Sequence, residues 1–328
     1  MKHTKERHSV VQLDNTTRLE LRPVPPYNFT LTIHKPGGWP LFTPSEIFEQ
    51  GTIWTAMRTP SEETIGLKLN SRGTIQNPRI ICTVYSRGKL NPQAKEDLSE
   101  TISWSLNVKE DITQFYALAK TDPLVKILVR DLYGMRNTKQ PDLFPRLILA
   151  VTLQMAPISR SDQMMSLLIK EYGEKVLFDG REIQYWPSPA RIAVTSVEEL
   201  REKCKLGYRA RPLKSIAETI NQGFPDAGQL EKISPLEAQA KLMELPGIGE
   251  YSADIVLPQA GMPLDVWSAK IFSLLLLGMK PRFPRESIPK LKKIAEEKWG
   301  RWRGYVFIYV LHDLSNLSRK LKLKLTEV

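Results

Sequence analysis

Hydrophobic and polar positions follow two rhythms along this chain. Up to about residue 90, short runs alternate apolar with polar residues: Phe29-Thr-Leu-Thr-Ile33, Thr52-Ile-Trp-Thr-Ala-Met57, Thr64-Ile-Gly-Leu-Lys-Leu69 and Arg79-Ile-Ile-Cys-Thr-Val-Tyr85. A period of two, rich in β-branched and aromatic residues, predicts strands with alternate side chains facing a core. Breakers at Pro36-Gly-Gly, Pro60, Gly73 and Pro78 separate the runs. An antiparallel sheet of four or five strands is expected. After Asn91-Pro92 the repeat lengthens to that of a helix. It predicts helices over 93–106, 111–120, 122–133, 142–155, 159–172, 196–203, 211–222, 235–244, 249–259, 265–277, 287–297 and 300–319, with breakers such as Gly134, Gly173 and Gly223-Phe-Pro225 between them. The expected class is α+β, with a β-rich N-terminal domain over 1–108 and an all-α region over 109–328. Neither an internal repeat nor a low-complexity tract is evident.

Composition narrows the function. With 41% hydrophobic and 25% charged residues, the 328-residue chain has the balance of a folded globular protein. No apolar stretch reaches the roughly 18 residues of a membrane span, and no apolar segment follows the basic N-terminus. An intracellular protein, cytoplasmic if prokaryotic and without a membrane partner, is expected. Two cysteines, Cys82 and Cys204, are too few for a disulfide framework, a four-cysteine zinc site or an iron–sulfur cluster. The net charge of +11 suits a polyanion, because neutralising phosphates releases condensed counterions.

The segment richest in chemistry is Leu245-Pro-Gly-Ile-Gly-Glu-Tyr-Ser-Ala-Asp-Ile-Val256. One helix is predicted to end just before it and another to start within it. Gly247 and Gly249 allow a tight turn and close backbone approach. The new helix presents unpaired N–H groups and the positive end of its dipole, which suits one DNA phosphate without contact to a base. Sixteen residues after Gly249 comes Asp265, in Met262-Pro-Leu-Asp-Val-Trp-Ser-Ala-Lys270. A carboxylate among apolar neighbours is costly unless paired or used. It is either a helix N-cap or a group pointing into a cleft, and one aspartate can be both.

Together these segments resemble the helix-hairpin-helix DNA glycosylase superfamily, in its 3-methyladenine and 8-oxoguanine branches. In that family Leu-Pro-Gly-Ile/Val-Gly-x-x-x-Ala is followed by an essential Asp in a Val/Leu-Asp-Val context. Three further segments carry the likeness. Asp131-Leu-Tyr-Gly-Met-Arg136 with Phe144 to Gln154 resembles the entry to the helical core. Lys205-Leu-Gly-Tyr-Arg-Ala-Arg211 is similar to a segment of the 8-oxoguanine branch, and Trp302-Arg-Gly-Tyr305 to one of the 3-methyladenine branch. The likeness covers roughly residues 110 to 320, with the hairpin at about 235–259. Both branches carry a TATA-binding-protein-like sheet at the N-terminus, which fits the β-rich first hundred residues.

The resemblance implies an enzyme of base excision repair. It would bind double-stranded DNA as a monomer, flip out a damaged base and hydrolyse its N-glycosidic bond. Asp265 matches the carboxylate that stabilises oxocarbenium character in the transition state. Bifunctional members place a nucleophilic lysine two residues after the second hairpin glycine. Here Tyr251 stands there, which implies a monofunctional enzyme without lyase activity. Gly247, Ile248 and Gly249 match the phosphate-binding turn. Met155 matches the wedge that fills the vacated stack, and Arg160, Tyr208 and Arg209 match contacts to the opposite strand. Tyr251, Trp267 and Tyr305 are expected to line the base pocket, and their aromatic faces favour cationic alkylated bases. Phe307 and Leu311 fall where the 8-oxoguanine branch carries a glutamine and a phenylalanine. Trp39, Trp54 and Trp104 are expected to be structural. No cofactor is required, but the main-chain carbonyls of Met243, Leu245 and Ile248 match those that hold a monovalent cation. Two alternatives stay open: an 8-oxoguanine glycosylase with a displaced nucleophile, and a non-catalytic helix-hairpin-helix DNA-binding protein.

Overall fold

The computed structural model describes residues 10–34, 42–59, 61–225, 227–230, 232–257 and 261–327. Trp39, the Pro36-Gly-Gly and Pro60 breakers and the end of the helix expected over 249–259 lie outside them.

Eight strands are described: β1 Val11–Gln12, β2 Asn15–Leu21, β3 Ile47–Glu49, β4 Thr52–Arg58, β5 Thr64–Thr74, β6 Asn77–Ser86, β7 Glu174–Phe178 and β8 Arg181–Tyr185. The helices begin with α1 Phe29–Ile33, α2 Pro92–Ser105, α3 Thr113–Leu118, α4 Pro123–Asp131, α5 Leu143–Leu153, α6 Ile158–Tyr172, α7 Pro189–Val194 and α8 Val197–Lys203. They continue with α9 Ala210–Asn221, α10 Ala227–Leu230, α11 Pro235–Met243, α12 Glu250–Val256, α13 Val266–Leu277, α14 Pro284–Trp299, α15 Arg303–His312 and α16 Leu314–Leu321.

The main sheet is antiparallel and five-stranded, in the order β2-β6-β5-β4-β3. Its alternation is visible in β5, where Ile65, Leu67 and Leu69 are fully buried while Lys68 is half-buried. Two expectations fail here. Phe29-Thr-Leu-Thr-Ile33 is a helix rather than a strand, because the Asn28 side chain caps it by accepting from Leu31 N at 3.1 Å. The region after 109 is not all helical: β7 and β8 form a hairpin, and β1 pairs with β7 in parallel. Asp179 and Gly180 turn that hairpin with positive φ at both positions (50° and 71°).

The hairpin belongs to the β-layer, not to the helices around it in sequence. Phe178 packs where a side chain on Gly66 of β5 would stand, a Cβ there lying 2.4 Å from its ring. Trp54 Nε1 donates to Asp179 (2.6 Å), and Arg58 pairs with Glu174 (2.8 Å).

Two hydrophobic cores result. The first joins the main sheet, the hairpin, α2, α5, α6 and the helices from α7 to α12. The second joins α3 and α4 with α13 to α15 and Leu317 of α16. One long helix expected over 300–319 is broken at Asp313, which separates α15 from α16. No helix among the described residues is long and apolar enough to cross a membrane.

Candidate active site

The cavity that matters lies where the two cores meet. It holds about 470 Å³. Phe42, Leu149, Met165 and Trp186 line it from the first core; Trp267, Phe307 and Leu311 line it from the second.

Asp265 reaches this cavity from the start of α13. It is the helix N-cap: its Oδ1 accepts from Ser268 N (2.7 Å) and Ser268 Oγ (2.6 Å), and Ser268 Oγ accepts from Asp265 N (2.8 Å). This reciprocal box fixes the side chain. Both hydrogen bonds fall on Oδ1. Oδ2 has no partner among the described residues.

A second carboxylate on the cavity wall, Asp254, makes the contrast. Its Oδ1 accepts from Gln239 (2.8 Å), and its Oδ2 pairs with Lys292 (2.8 Å). The side chain is buried and saturated, so it pins α12 to α11 and α14. Of these two carboxylates, Asp265 is the one with an oxygen to spare.

Tyr251 comes from the first turn of α12. Its phenol is raised above the ordinary tyrosine range, first by burial and then by the negative charge of Asp265. It is therefore a neutral hydroxyl at physiological pH. Tyr251, Trp267 and Asp265 all line the cavity.

Tyr305 does not line it, contrary to expectation. It is buried against Phe115, Trp302 and Tyr309, and its hydroxyl donates to Glu110. Helix register is the reason. Gly304, Phe307, Ile308, Leu311 and His312 form the cavity face of α15; Tyr305 lies about 100° round from Gly304 and points into the second core.

Trp104, expected to be structural, lines the cavity as well, with Lys139 Nζ 4.7 Å and Arg146 Cζ 5.2 Å from its ring centre. Trp54 stays within the β-layer. Trp186 and His312 were missed in the sequence, because neither sits in a recognisable motif and only the tertiary fold brings them to the cavity.

The expected hairpin segment is two helices joined by a tight turn. A capping box between Ser234 and Glu237 starts α11. Gly247 has φ of +79°, and a Cβ there would lie 2.9 Å from Pro212, so this position requires glycine. Gly249 does not share that need. Its φ is −106°, it caps α12, and a Cβ would meet nothing within 4 Å. The expectation that both glycines are needed for the turn itself is corrected. Ile248 is buried beneath the turn, and Ala253 is fully buried where α12 packs on α5.

Gln154, which the sequence did not single out, ties this turn to the segment after α5. Its Nε2 donates to Gly247 O (2.8 Å) and Ser252 Oγ (2.9 Å). Its carbonyl accepts from Tyr208 (3.3 Å) and from Arg209. The next residue, Met155, is 77% exposed and held at φ +50°. Its side chain belongs to neither hydrophobic core. Tyr208 is also exposed. Arg160 donates to Lys205 O (3.0 Å) and Gln163 (2.5 Å). Arg209 is buried under Tyr208, 4.5 Å from its ring centre. It therefore shapes the 154–155 loop rather than reaching outward, which corrects its expected place as a surface contact. Gln154 thus links Met155, Tyr208, Arg209 and the Gly247–Gly249 turn, and Arg160 joins them through the Lys205 carbonyl.

No family model matches the chain. It is 25% identical over 221 residues to a DNA-3-methyladenine glycosylase of Bacillus subtilis, covering 66% of this chain and 72% of that protein. The fold matches the 3-methyladenine DNA glycosylase of Archaeoglobus fulgidus with a TM-score of 0.75, at 18% identity, over 93% of this chain and 99% of that one. It also matches Clostridium acetobutylicum 8-oxoguanine glycosylase/lyase in complex with double-stranded DNA, with a TM-score of 0.66, at 18% identity, over 95% and 99%. The chain has the fold of a DNA glycosylase. In sequence it is similar to a DNA-3-methyladenine glycosylase, and in fold to both 3-methyladenine and 8-oxoguanine glycosylases.

Proposed function

We propose that this chain is a monofunctional DNA N-glycosylase of base excision repair, acting on a damaged, alkylated base in double-stranded DNA. One observation carries the reading: Asp265 lines a cavity walled by Tyr251, Trp267 and Phe307, and its Oδ2 has no partner among the described residues. A base flipped into that cavity stacks on aromatic faces, which attract the positive charge of an alkylated purine. As the glycosidic bond lengthens, charge develops on the sugar. A fixed carboxylate oxygen stabilises it at no cost in reorganisation. Tyr251 stands where an amine would be needed for a Schiff base, and its neutral phenol cannot form one. Water is then the nucleophile, oriented by Asp265.

DNA would be gripped at the turn. The open space over Gly249 and the free N–H groups of α12 suit one phosphate. The carbonyls of Met243 and Ile248 receive no main-chain N–H from a described residue, and that of Leu245 receives one, from Ile248 (3.1 Å). These oxygens fit a monovalent cation, which would stiffen the turn and add positive charge beside the phosphate. Met155, exposed and unsupported by any core, is the wedge, and Arg160 and Tyr208 face the opposite strand. The five-stranded sheet corresponds to the TATA-binding-protein-like layer of these branches, and the protein acts as a monomer.

A panel of duplexes, each with a single methylated, deaminated or oxidised base, tests the function. Excision revealed by alkali is expected for a methylated purine. Excision of none sinks the enzymatic reading and leaves a DNA-binding protein. Borohydride trapping tests the monofunctional claim, since a covalent adduct requires an amine. Lys139 is the lysine lining the cavity among the described residues. An adduct lost in Lys139→Ala would turn the reading to a glycosylase with a displaced nucleophile.

A further inference from the structure

The segment between α13 and α14 reads Gly278-Met-Lys-Pro-Arg-Phe-Pro-Arg285 and has no part in the cavity. Met279 and Phe283 are 64% and 55% exposed. Lys280, Arg282 and Arg285 are exposed too, and none makes an ion pair with a described residue. Between 279 and 290 the sole carboxylate is Glu286. Clustered cations without carboxylate partners, beside exposed apolar side chains, are the footprint of a surface that meets a polyanion.

Helix geometry says where this segment faces. Lys292 of α14 pairs with Glu250 and Asp254 of α12, so that face of α14 lies along the hairpin turn. Burial alone would lower the Lys292 ammonium, but hydrogen bonds to Asp254 and Glu250 outweigh it and raise it. Arg285 is seven residues earlier, two turns along the same face. Its guanidinium Nη2 lies 3.3 Å from Sδ of Met155. Arg282 rests over Phe283, 5.2 Å from the ring centre, which fixes its direction.

We infer that residues 279–285 form a second DNA-contacting element beside the wedge, with Lys280, Arg282 and Arg285 neutralising phosphates of the duplex next to the lesion. The occupant is duplex DNA rather than a protein, because the segment is continuous with the Met155 loop and the Gly247–Gly249 turn and carries uncompensated positive charge. Arg285 has a second part: lying against the Met155 sulfur, it steadies the wedge while its remaining donors reach a phosphate. The inference rests on the DNA-binding reading of the hairpin edge.

The test uses the full chain and an undamaged, fluorescein-labelled duplex, so that no chemistry intervenes. Anisotropy gives Kd at several salt concentrations, and log Kd is plotted against log salt. Each lost phosphate contact lowers the slope by about 0.9. The variant Lys280→Ala/Arg282→Ala/Arg285→Ala is expected to lose about 2 to 3 in slope. A second variant, Arg282→Lys/Arg285→Lys, keeps charge and is expected to keep the parental slope. These side chains are exposed, and a thermal melt of each variant confirms that the fold is kept. If the triple variant retains the parental slope, the inference falls while the hairpin reading stands. If the parent itself fails to bind duplex at low salt, both fall.

Discussion

Asp265 is a helix N-cap in this structure and the proposed catalytic group, and two substitutions separate the roles. As an N-cap it holds the first turn of α13 through Oδ1, with hydrogen bonds of 2.7 and 2.6 Å to Ser268. As the proposed catalytic group it acts through Oδ2. Asparagine retains an Oδ1 acceptor and caps about as well as aspartate. Asp265→Asn is therefore expected to fold with little loss of stability while losing the negative charge that acts on the sugar. Asp265→Ala loses both. Removing a cap costs about 1 kcal/mol, which for a chain of this length is a fall in Tm of about 1–2 °C. Removing one preorganised electrostatic stabiliser costs about 10²–10³ in rate. The assay is single-turnover excision with enzyme in excess over a lesion duplex, followed by alkali and a denaturing gel, with a thermal melt of each protein. The expected pattern is two inactive variants, of which the alanine one alone melts lower. Asparagine activity within about tenfold of the parent, with loss confined to alanine, would reduce Asp265 to a cap and move the chemistry elsewhere.

Three other outcomes are expected. Gly247→Ala should lower Tm, because of its positive φ and the approach to Pro212; Gly249→Ala, at the N-cap of α12, should lower Tm by no more than about 1–2 °C and weaken damaged and undamaged duplex alike, and retained affinity would exclude a phosphate over Gly249. Met155→Ala should melt with the parent, since the side chain is 77% exposed, and should slow excision most for a lesion in a stable pair; a loss of about 2–5 kcal/mol in stability would instead mark a buried core position. The last concerns pH. Burial and then the Asp131 charge push the Asp313 carboxyl up to about 6, against the Asn316 hydrogen bond and the Lys320 charge. A raised carboxyl favours the fold while protonated, so its stabilisation is full below about pH 4 and is lost as pH rises through about 6. Asp313→Asn imitates the protonated form, so its Tm should gain on the parent between pH 4 and 7; a difference that is flat or of opposite sign refutes the assignment.

Much of this protein is local enough to be legible in the sequence. Apolar periodicity predicted helices close to their observed places after residue 90, because each amphipathic segment must bury one stripe whatever its neighbours. Strands β4, β5 and β6 appeared for the same reason with a period of two, whereas β2, as long as β4, was not singled out. The Leu245–Val256 segment and Asp265 stood out because a tight turn and a cap are set by a few adjacent residues. Even the missed hairpin was written locally: Phe178-Asp-Gly-Arg181 sits between alternating runs, a strong turn signal in a stretch given no element of its own within the region expected to be all-α. Five residues, Phe29 to Ile33, are too few for periodicity to distinguish one turn of helix from a strand, and there the Asn28 cap decided.

What the tertiary structure alone decided is which side of each element faces the cavity, and what each polar group finds there. Tyr305 and Phe307 are two residues apart, yet packing of α15 on the second core turned one inward and left the other on the cavity wall. Asp254 and Asp265 have the same side chain and both reach the cavity. Gln239 and Lys292 occupy both oxygens of the first, while Ser268 occupies only one of the second. Gln154 and Arg285 gained their meaning from groups 93 and 130 residues away. Such partners are supplied by the fold at long range, where no spacing along the chain records them. Charge and motif raised the expectation of DNA, but only the packing of two cores against each other brought Asp265, its Oδ2 without a partner among the described residues, to the cavity between them.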